Sequence, residues 1–110
     1  MGNKPVETTY YHLKRCPVEL ALEVIGGKWR IPILWKLSDA KTVRYNELKR
    51  SISGITNTML TRSLQDLERH GLVKRIEYSE VPPHVEYSLT DTCQKLIPAL
   101  KIINEWGKNI

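Results

Sequence analysis

The stretch Ser53-Gly54-Ile55-Thr56-Asn57-Thr58-Met59-Leu60-Thr61-Arg62-Ser63-Leu64-Gln65-Asp66-Leu67-Glu68-Arg69-His70-Gly71 decides the fold. Thr56 has the side chain of a good helix N-cap, and Gly71 is the residue type that most readily ends a helix. Between them, Leu64 and Leu67 fall within about 40° of Leu60 on a helical wheel, so the three share the face that anchors the helix on a core. The opposite face carries Thr58, Arg62, Gln65 and Arg69, with Thr61 beside it. That face has no acid and no large apolar residue, only hydroxyls, an amide and guanidinium groups. The expected helix runs from about Asn57 to His70. Before it comes a short turn containing Gly54, and before that a second amphipathic helix, Arg44 to Ile52, with Tyr45, Leu48 and Ile52 on one face.

Downstream, Leu72 to Ser79 and His84 to Leu89 read as two strands joined by Glu80-Val81-Pro82-Pro83, a loop too rich in proline to belong to the ladder. Thr90 then caps a long helix over about 91–108, with Leu96, Ile97, Leu100, Ile103 and Trp106 as its apolar stripe and a kink at Pro98. Upstream, Pro17 to Ile25 and Trp29 to Ser38 are the first two helices. Cys16 is the N-cap of the first and Gly26-Gly27 its stop. Val43 suits a short strand, and residues 1–15 read as an arm. Helix, turn, helix and hairpin in that order describe a winged helix-turn-helix: a mainly α fold with a small β hairpin, flanked here by further N- and C-terminal helices. Residues 16–110 form one domain, with its wing over about 72–89.

Charge supports a polyanionic partner. The formal net charge is +5, and it is unevenly placed. Lys28 to Arg75 holds 11 Lys/Arg and 4 Asp/Glu, a balance of +7, whereas the rest holds 6 and 8, a balance of −2. No apolar run approaches the roughly 20 residues of a membrane span, and Met1 to Arg15 lacks the apolar centre of a signal peptide. Val6 stands where a myristoylation motif needs Ser or Thr. The expected compartment is therefore the cytoplasm, with no membrane partner. Two distant cysteines, Cys16 and Cys93, and three scattered histidines make neither a disulfide framework nor a metal site. No cofactor is expected. No cysteine–histidine pairing, phosphate-binding glycine loop or carboxylate pair marks an enzyme.

The polar face of the 57–70 helix has the groups that a major groove of double-stranded DNA accepts. Arg bonds guanine O6 and N7, Gln bonds adenine, and Thr touches a thymine methyl. The N-terminal residues of a recognition helix go deepest. Asn57, Thr58, Thr61, Arg62 and Gln65 are thus the candidates for base edges. Arg44 and Lys49 on the preceding helix, Thr56 at the cap, Arg69 further along, and Lys74, Arg75 and His84 on the hairpin are the candidates for phosphate or wing contacts. For His84 a solvated loop histidine is an equal alternative. The competing function is a winged-helix protein-interaction module with no sequence-specific DNA binding.

Several blocks of residues carry a family resemblance. Cys16-Pro17-Val18-Glu19, Ile25-Gly26-Gly27-Lys28-Trp29, Gly54-Ile55-Thr56, Leu60-Thr61-Arg62-Ser63-Leu64, Leu67-Glu68-Arg69-His70-Gly71-Leu72-Val73 and Glu80-Val81-Pro82-Pro83-His84-Val85-Glu86-Tyr87-Ser88-Leu89-Thr90 together resemble the HxlR family. That family is a branch of winged-helix regulators related to the MarR group, and the resemblance covers about Cys16 to Gly107. It implies homodimers that bind inverted-repeat operators as repressors or activators, with the first and last helices as the dimer interface. The matching positions are Leu20, Val24, Leu100, Ile103 and Trp106. The apolar surface of the terminal helix fits that role, and packing onto the second helix of the same chain is the alternative. The resemblance also implies a small-molecule or oxidant effector, with oxidants or electrophiles sensed through the cysteine matching Cys16. A helix N-terminus, with Lys14 and Arg15 beside it, favours the thiolate there. The alternative is an ordinary small buried residue, which is also the expectation for Cys93.

Overall fold

The computed structural model describes residues 16–110. The expected arm over 1–15 lies outside them. Helix α1 (Pro17–Ile25) is followed by α2 (Arg30–Leu37), the short strand β1 (Val43–Arg44), α3 (Tyr45–Ser51), α4 (Asn57–Arg69), β2 (Val73–Tyr78), β3 (His84–Leu89), α5 (Asp91–Gln94) and α6 (Ile97–Gly107). The three strands form one antiparallel sheet in the order β1-β3-β2. Val43 lies opposite Tyr87 and Arg44 opposite Glu86, while β2 and β3 pair from Val73↔Leu89 to Tyr78↔His84. This is a winged helix-turn-helix, with α3 and α4 as its helix pair and β2–β3 as its wing.

The core is built by the spacing that the leucines announce. Ile33, Leu34 and Leu37 of α2, Leu48 of α3, and Leu60, Leu64 and Leu67 of α4 are buried together, and Leu89, Cys93 and Leu100 join them from the C-terminal half. Each is a full aliphatic or thiol side chain removed from water, which is where a small domain finds most of its stability. The turn between α3 and α4 requires Gly54, whose φ of +82° is the left-handed conformation that costs other residues about 1 kcal/mol or more. Gly71, at φ +76°, ends α4 in the same way. Thr90 then ties the far side of the wing to that end. Its hydroxyl donates to the Gly71 carbonyl at 2.7 Å and accepts from the Cys93 N–H at 3.2 Å.

The C-terminal segment departs from the single kinked helix expected over 91–108. It is two helices, α5 and α6, with a break at Lys95–Leu96. Pro98 has no N–H to give to the preceding turn, so the ladder restarts at the Leu96 carbonyl, which accepts from Ala99 at 3.0 Å and Leu100 at 3.3 Å. Helix α1 is also unlike the others, because none of its residues is fully buried. It touches the core only through Val24 and Ile25, near its C-terminus.

Candidate nucleic-acid interface

Helix α4 presents its polar face outward, as its sequence demands. Asn57, Thr58, Thr61, Arg62 and Gln65, the five residues expected at base edges, are all exposed and together line one shallow hollow of about 380 Å³. Thr56 caps the helix by accepting from the Met59 N–H at 3.1 Å. Among the described residues, Arg62 has neither an ion-pair nor a hydrogen-bond partner, so its guanidinium is free to meet a ligand. Arg69 differs, because Asp66 one turn earlier already pairs with it. Asp66 flanks the polar face, and it also pairs with Arg30 of α2. The two guanidinium groups hold the Asp66 carboxyl below the usual carboxylate range, Arg69 contributing most.

A larger groove of about 1230 Å³ runs between α3, α4 and the wing, lined among others by Arg44, Tyr45, Arg50, Gln65, Arg75 and Tyr87. Its cations are held to different degrees. Arg44 is the N-cap of α3, and its guanidinium stands 3.9 Å from Glu86. Arg75 pairs with Glu77 at 2.6 Å, and both Glu77 and the Tyr87 hydroxyl favour its charged form. Lys74 lies on the opposite face of β2 from Arg75, because side chains alternate along a strand, so the two cannot act as one pair.

Two expectations change here. Lys49, expected on the exposed side of α3, is half-buried, and it is the neighbouring Arg50 that is exposed and lines the groove. The reading of His84 as a solvated loop histidine is overturned. Its ring stacks on Tyr78 at a centroid distance of 4.6 Å, and its Nε2 lies 3.1 Å from Glu86 Oε2. Glu86 is in turn held below the usual carboxylate range, first by a hydrogen bond from Thr42 and then by His84.

Tyr45 was legible only as an apolar residue of α3. In the structure its hydroxyl lies 3.0 Å from Thr61 Oγ1 and 3.2 Å from Asn57 Oδ1, so α3 touches two of the base-edge candidates directly. Tyrosine carries a polar tip on an apolar ring, and the helical period reports only the ring.

The expected interface positions divide. Ile103 and Trp106 of α6 are exposed, at 51% and 69%, and Leu20 of α1 is exposed at 49%. Val24 is half-buried against the core. Leu100 is 2% exposed and fills the core of its own chain, so it is not available to a partner. It shares the inner side of the helix with Ile97, one turn earlier. Cys16 is half-buried at the N-cap of α1, where its N–H donates to Glu19 Oε1 at 3.0 Å. That carboxylate occupies the end of the helix dipole that was expected to favour a thiolate, and Lys14 and Arg15 lie outside the described residues. Cys93 is fully buried, and burial pushes its thiol up.

A two-faced helix behind a glycine turn, an exposed row of hydrogen-bonding side chains and an adjoining wing define a DNA-binding transcription regulator of the winged helix-turn-helix class. Comparison with known proteins narrows the class. The family model described as HxlR-like helix-turn-helix matches residues 24–110. An uncharacterised HTH-type transcriptional regulator of Halalkalibacterium halodurans is 46% identical over 96 residues, covering 87% of this chain and 85% of that protein. Among solved structures, the redox regulator HypR in its oxidised form superposes with a TM-score of 0.81 at 44% identity, covering 86% of this chain and 97% of that one. A Porphyromonas gingivalis regulator assigned to the MarR family gives 0.81 at 40% identity, covering 86% and 92%. The chain belongs to the HxlR-like helix-turn-helix family, whose named members are transcription regulators and not enzymes. Among the described residues, no helix is long and apolar enough to cross a membrane.

Proposed function

We propose that this chain acts in the cytoplasm as a homodimer that binds inverted-repeat operators in double-stranded DNA, reading base edges with Asn57, Thr58, Thr61, Arg62 and Gln65. The observation that carries this reading is the single solvent-facing hollow that these five residues line on α4, with Arg62 unpartnered among the described residues. Arg44, Thr56, Arg69, Lys74, Arg75 and His84 serve as phosphate or wing contacts, with Arg50 from its place in the groove taking the part expected of Lys49. The dimer reading is supported by apolar side chains left in water on two helices: Val18, Leu20 and Leu22 on α1, and Ile102, Ile103 and Trp106 on α6. A two-fold pair would place two recognition helices about one DNA turn, or a multiple of it, apart.

An effector belongs to the same reading. Cys16 is the thiol for an oxidant or electrophile to meet, because it is only partly covered and stands at the N-cap of an interface helix, whereas Cys93 is sealed in the core. Likeness to a protein named a redox regulator supports this. For a small molecule, the support is an apolar hollow of about 450 Å³ lined by Trp29, Trp35, Ile52, Leu100 and Ile103 beside α6.

The test is selection from a randomised duplex library by the reduced protein, with and without a mild thiol oxidant. Enrichment of an inverted repeat is expected, and its half-site spacing reports the dimer geometry. Enrichment should fall with oxidant in the natural protein and not in Cys16→Ser. No motif in either condition would overturn the operator reading and favour a protein-interaction role.

A further inference from the structure

The hydroxyl of Tyr45 has one proton to give and three oxygens around it: Thr61 Oγ1 at 3.0 Å, Asn57 Oδ1 at 3.2 Å and the Asn57 carbonyl at 3.3 Å. Of these three, only the Thr61 hydroxyl also carries a proton. When Thr61 donates to the Tyr45 oxygen, the single Tyr45 proton is left for Asn57, shared between its Oδ1 and its carbonyl. The carboxamide of Asn57 is then turned with its oxygen towards Tyr45. Its Nδ2, which has no hydrogen-bond partner among the described residues, is left with both protons for the hollow that Asn57 shares with Thr58, Thr61, Arg62 and Gln65.

The consequence is a choice of base. A free carboxamide pairs with adenine by giving a proton to N7 and accepting one from N6. An Asn57 oxygen that accepts from Tyr45 keeps a second lone pair, but it is anchored towards α3, so the carboxamide meets the hollow chiefly through its two Nδ2 protons. The major-groove edge that presents two adjacent acceptors and no donor is that of guanine, through O6 and N7. We propose that Tyr45, which need not touch DNA, is a specificity-determining positioning residue. By holding the Asn57 oxygen it makes the first residue of the recognition helix select guanine over adenine. This rests on the operator reading above and adds to it the identity of one base and the residue that sets it.

The experiment compares library selections by the wild type, Asn57→Ala and Tyr45→Phe. The position whose preference collapses in Asn57→Ala is the base beneath Asn57. In the wild type, guanine is expected there, at about tenfold over adenine. In Tyr45→Phe that ratio should fall towards parity at this position alone, with the other positions and the salt dependence of binding unchanged, because no phosphate contact has been removed. Adenine at that position in the wild type overturns the inference, whether or not Tyr45→Phe folds. So does a Tyr45→Phe profile identical to the wild type, or one weakened uniformly. A wild type that selects no motif overturns the operator reading and this inference with it. A wild-type motif that is unaffected at the Asn57 position by Tyr45→Phe overturns this inference alone.

Discussion

Arg30 and Asp66 stand 36 residues apart in the chain, and their side chains meet at 2.8 Å. The same guanidinium reaches the other way, donating through Nη1 to the carbonyls of Glu23 at 3.0 Å and Val24 at 2.8 Å. Those are orphan carbonyls at the C-terminal end of α1, and Asp66 is on α4. One planar, forked cation thus fastens the most exposed helix of the domain to the one that carries the base-edge residues. A lysine, with a single ammonium, cannot make the same three contacts.

Replacing Arg30 with Ala should therefore loosen α1 before anything else. Amide exchange should speed up over Leu22–Ile25 while the leucine core of α4 stays protected. The lost carbonyl bonds should cost about 1 kcal/mol of unfolding free energy. Arg30→Lys should recover only part of that protection. Equal protection in the alanine variant and the natural protein would show that the fork holds nothing in place.

Acid should act through Asp66. Its folded carboxyl titrates below the usual range because Arg69 and Arg30 stabilise the anion. A depressed carboxylate contributes stability above its unfolded value, near pH 4, and that contribution is lost as pH falls through the lower folded value. The midpoint of thermal unfolding should consequently drop below about pH 4, and Asp66→Asn should flatten that drop. An unchanged acid limb in Asp66→Asn would assign it to other carboxylates, Glu86 first among them.

Arg62 and Arg50 should fail in different ways. Arg62 faces the hollow on α4, so Arg62→Ala should cost about 1–3 kcal/mol of binding and relax preference at one base position. Arg50 lines the groove beside the wing, so Arg50→Ala should weaken all sequences alike and reduce the salt slope by about 1. Binding measured at several salt concentrations on a cognate and a scrambled duplex separates the two.

Two residues of α6 should also part company. Leu100→Ala empties a core position and should cost about 2–5 kcal/mol of stability. Trp106→Glu puts a charge on an exposed apolar surface and should leave the fold stable while shifting the mass in sedimentation from two chains to one. A Trp106→Glu variant that still sediments as a pair would remove α6 from the interface.

Much of the architecture could be read along the chain because it is local. Thr56 and Gly71 bracket α4, the leucines at 60, 64 and 67 turn it, and the hairpin follows from two strand-like runs around Pro82-Pro83. The break before α6 was announced as a kink at Pro98, but its depth depends on which carbonyl restarts the ladder. The exposed row on α4 was legible for the same reason as its buried row, since a period of 3.6 residues separates faces without knowledge of what they face. Lys49 was misplaced because it lies near the margin between two faces, where neighbouring elements decide how much of the side chain is covered, and Leu100 because an apolar stripe does not say which of its members face the chain's own core.

The sequence by itself determined the order of elements, the winged class, the two faces of α4 and the basic centre of the chain. These are properties of spacing and composition, and a helix or strand expresses them whatever it packs against. Only the tertiary structure decided which charges are already spent. Asp66 holds Arg69 and Arg30, Glu86 holds His84, and the Tyr45 hydroxyl holds Asn57 and Thr61, whereas Arg62 is left without a partner among the described residues. A hydrogen bond needs atoms placed to within a few tenths of an ångström. Three of these contacts, Arg30–Asp66, Tyr45–Asn57 and Tyr45–Thr61, join residues from different helices, and their distances are set only when the leucine core closes.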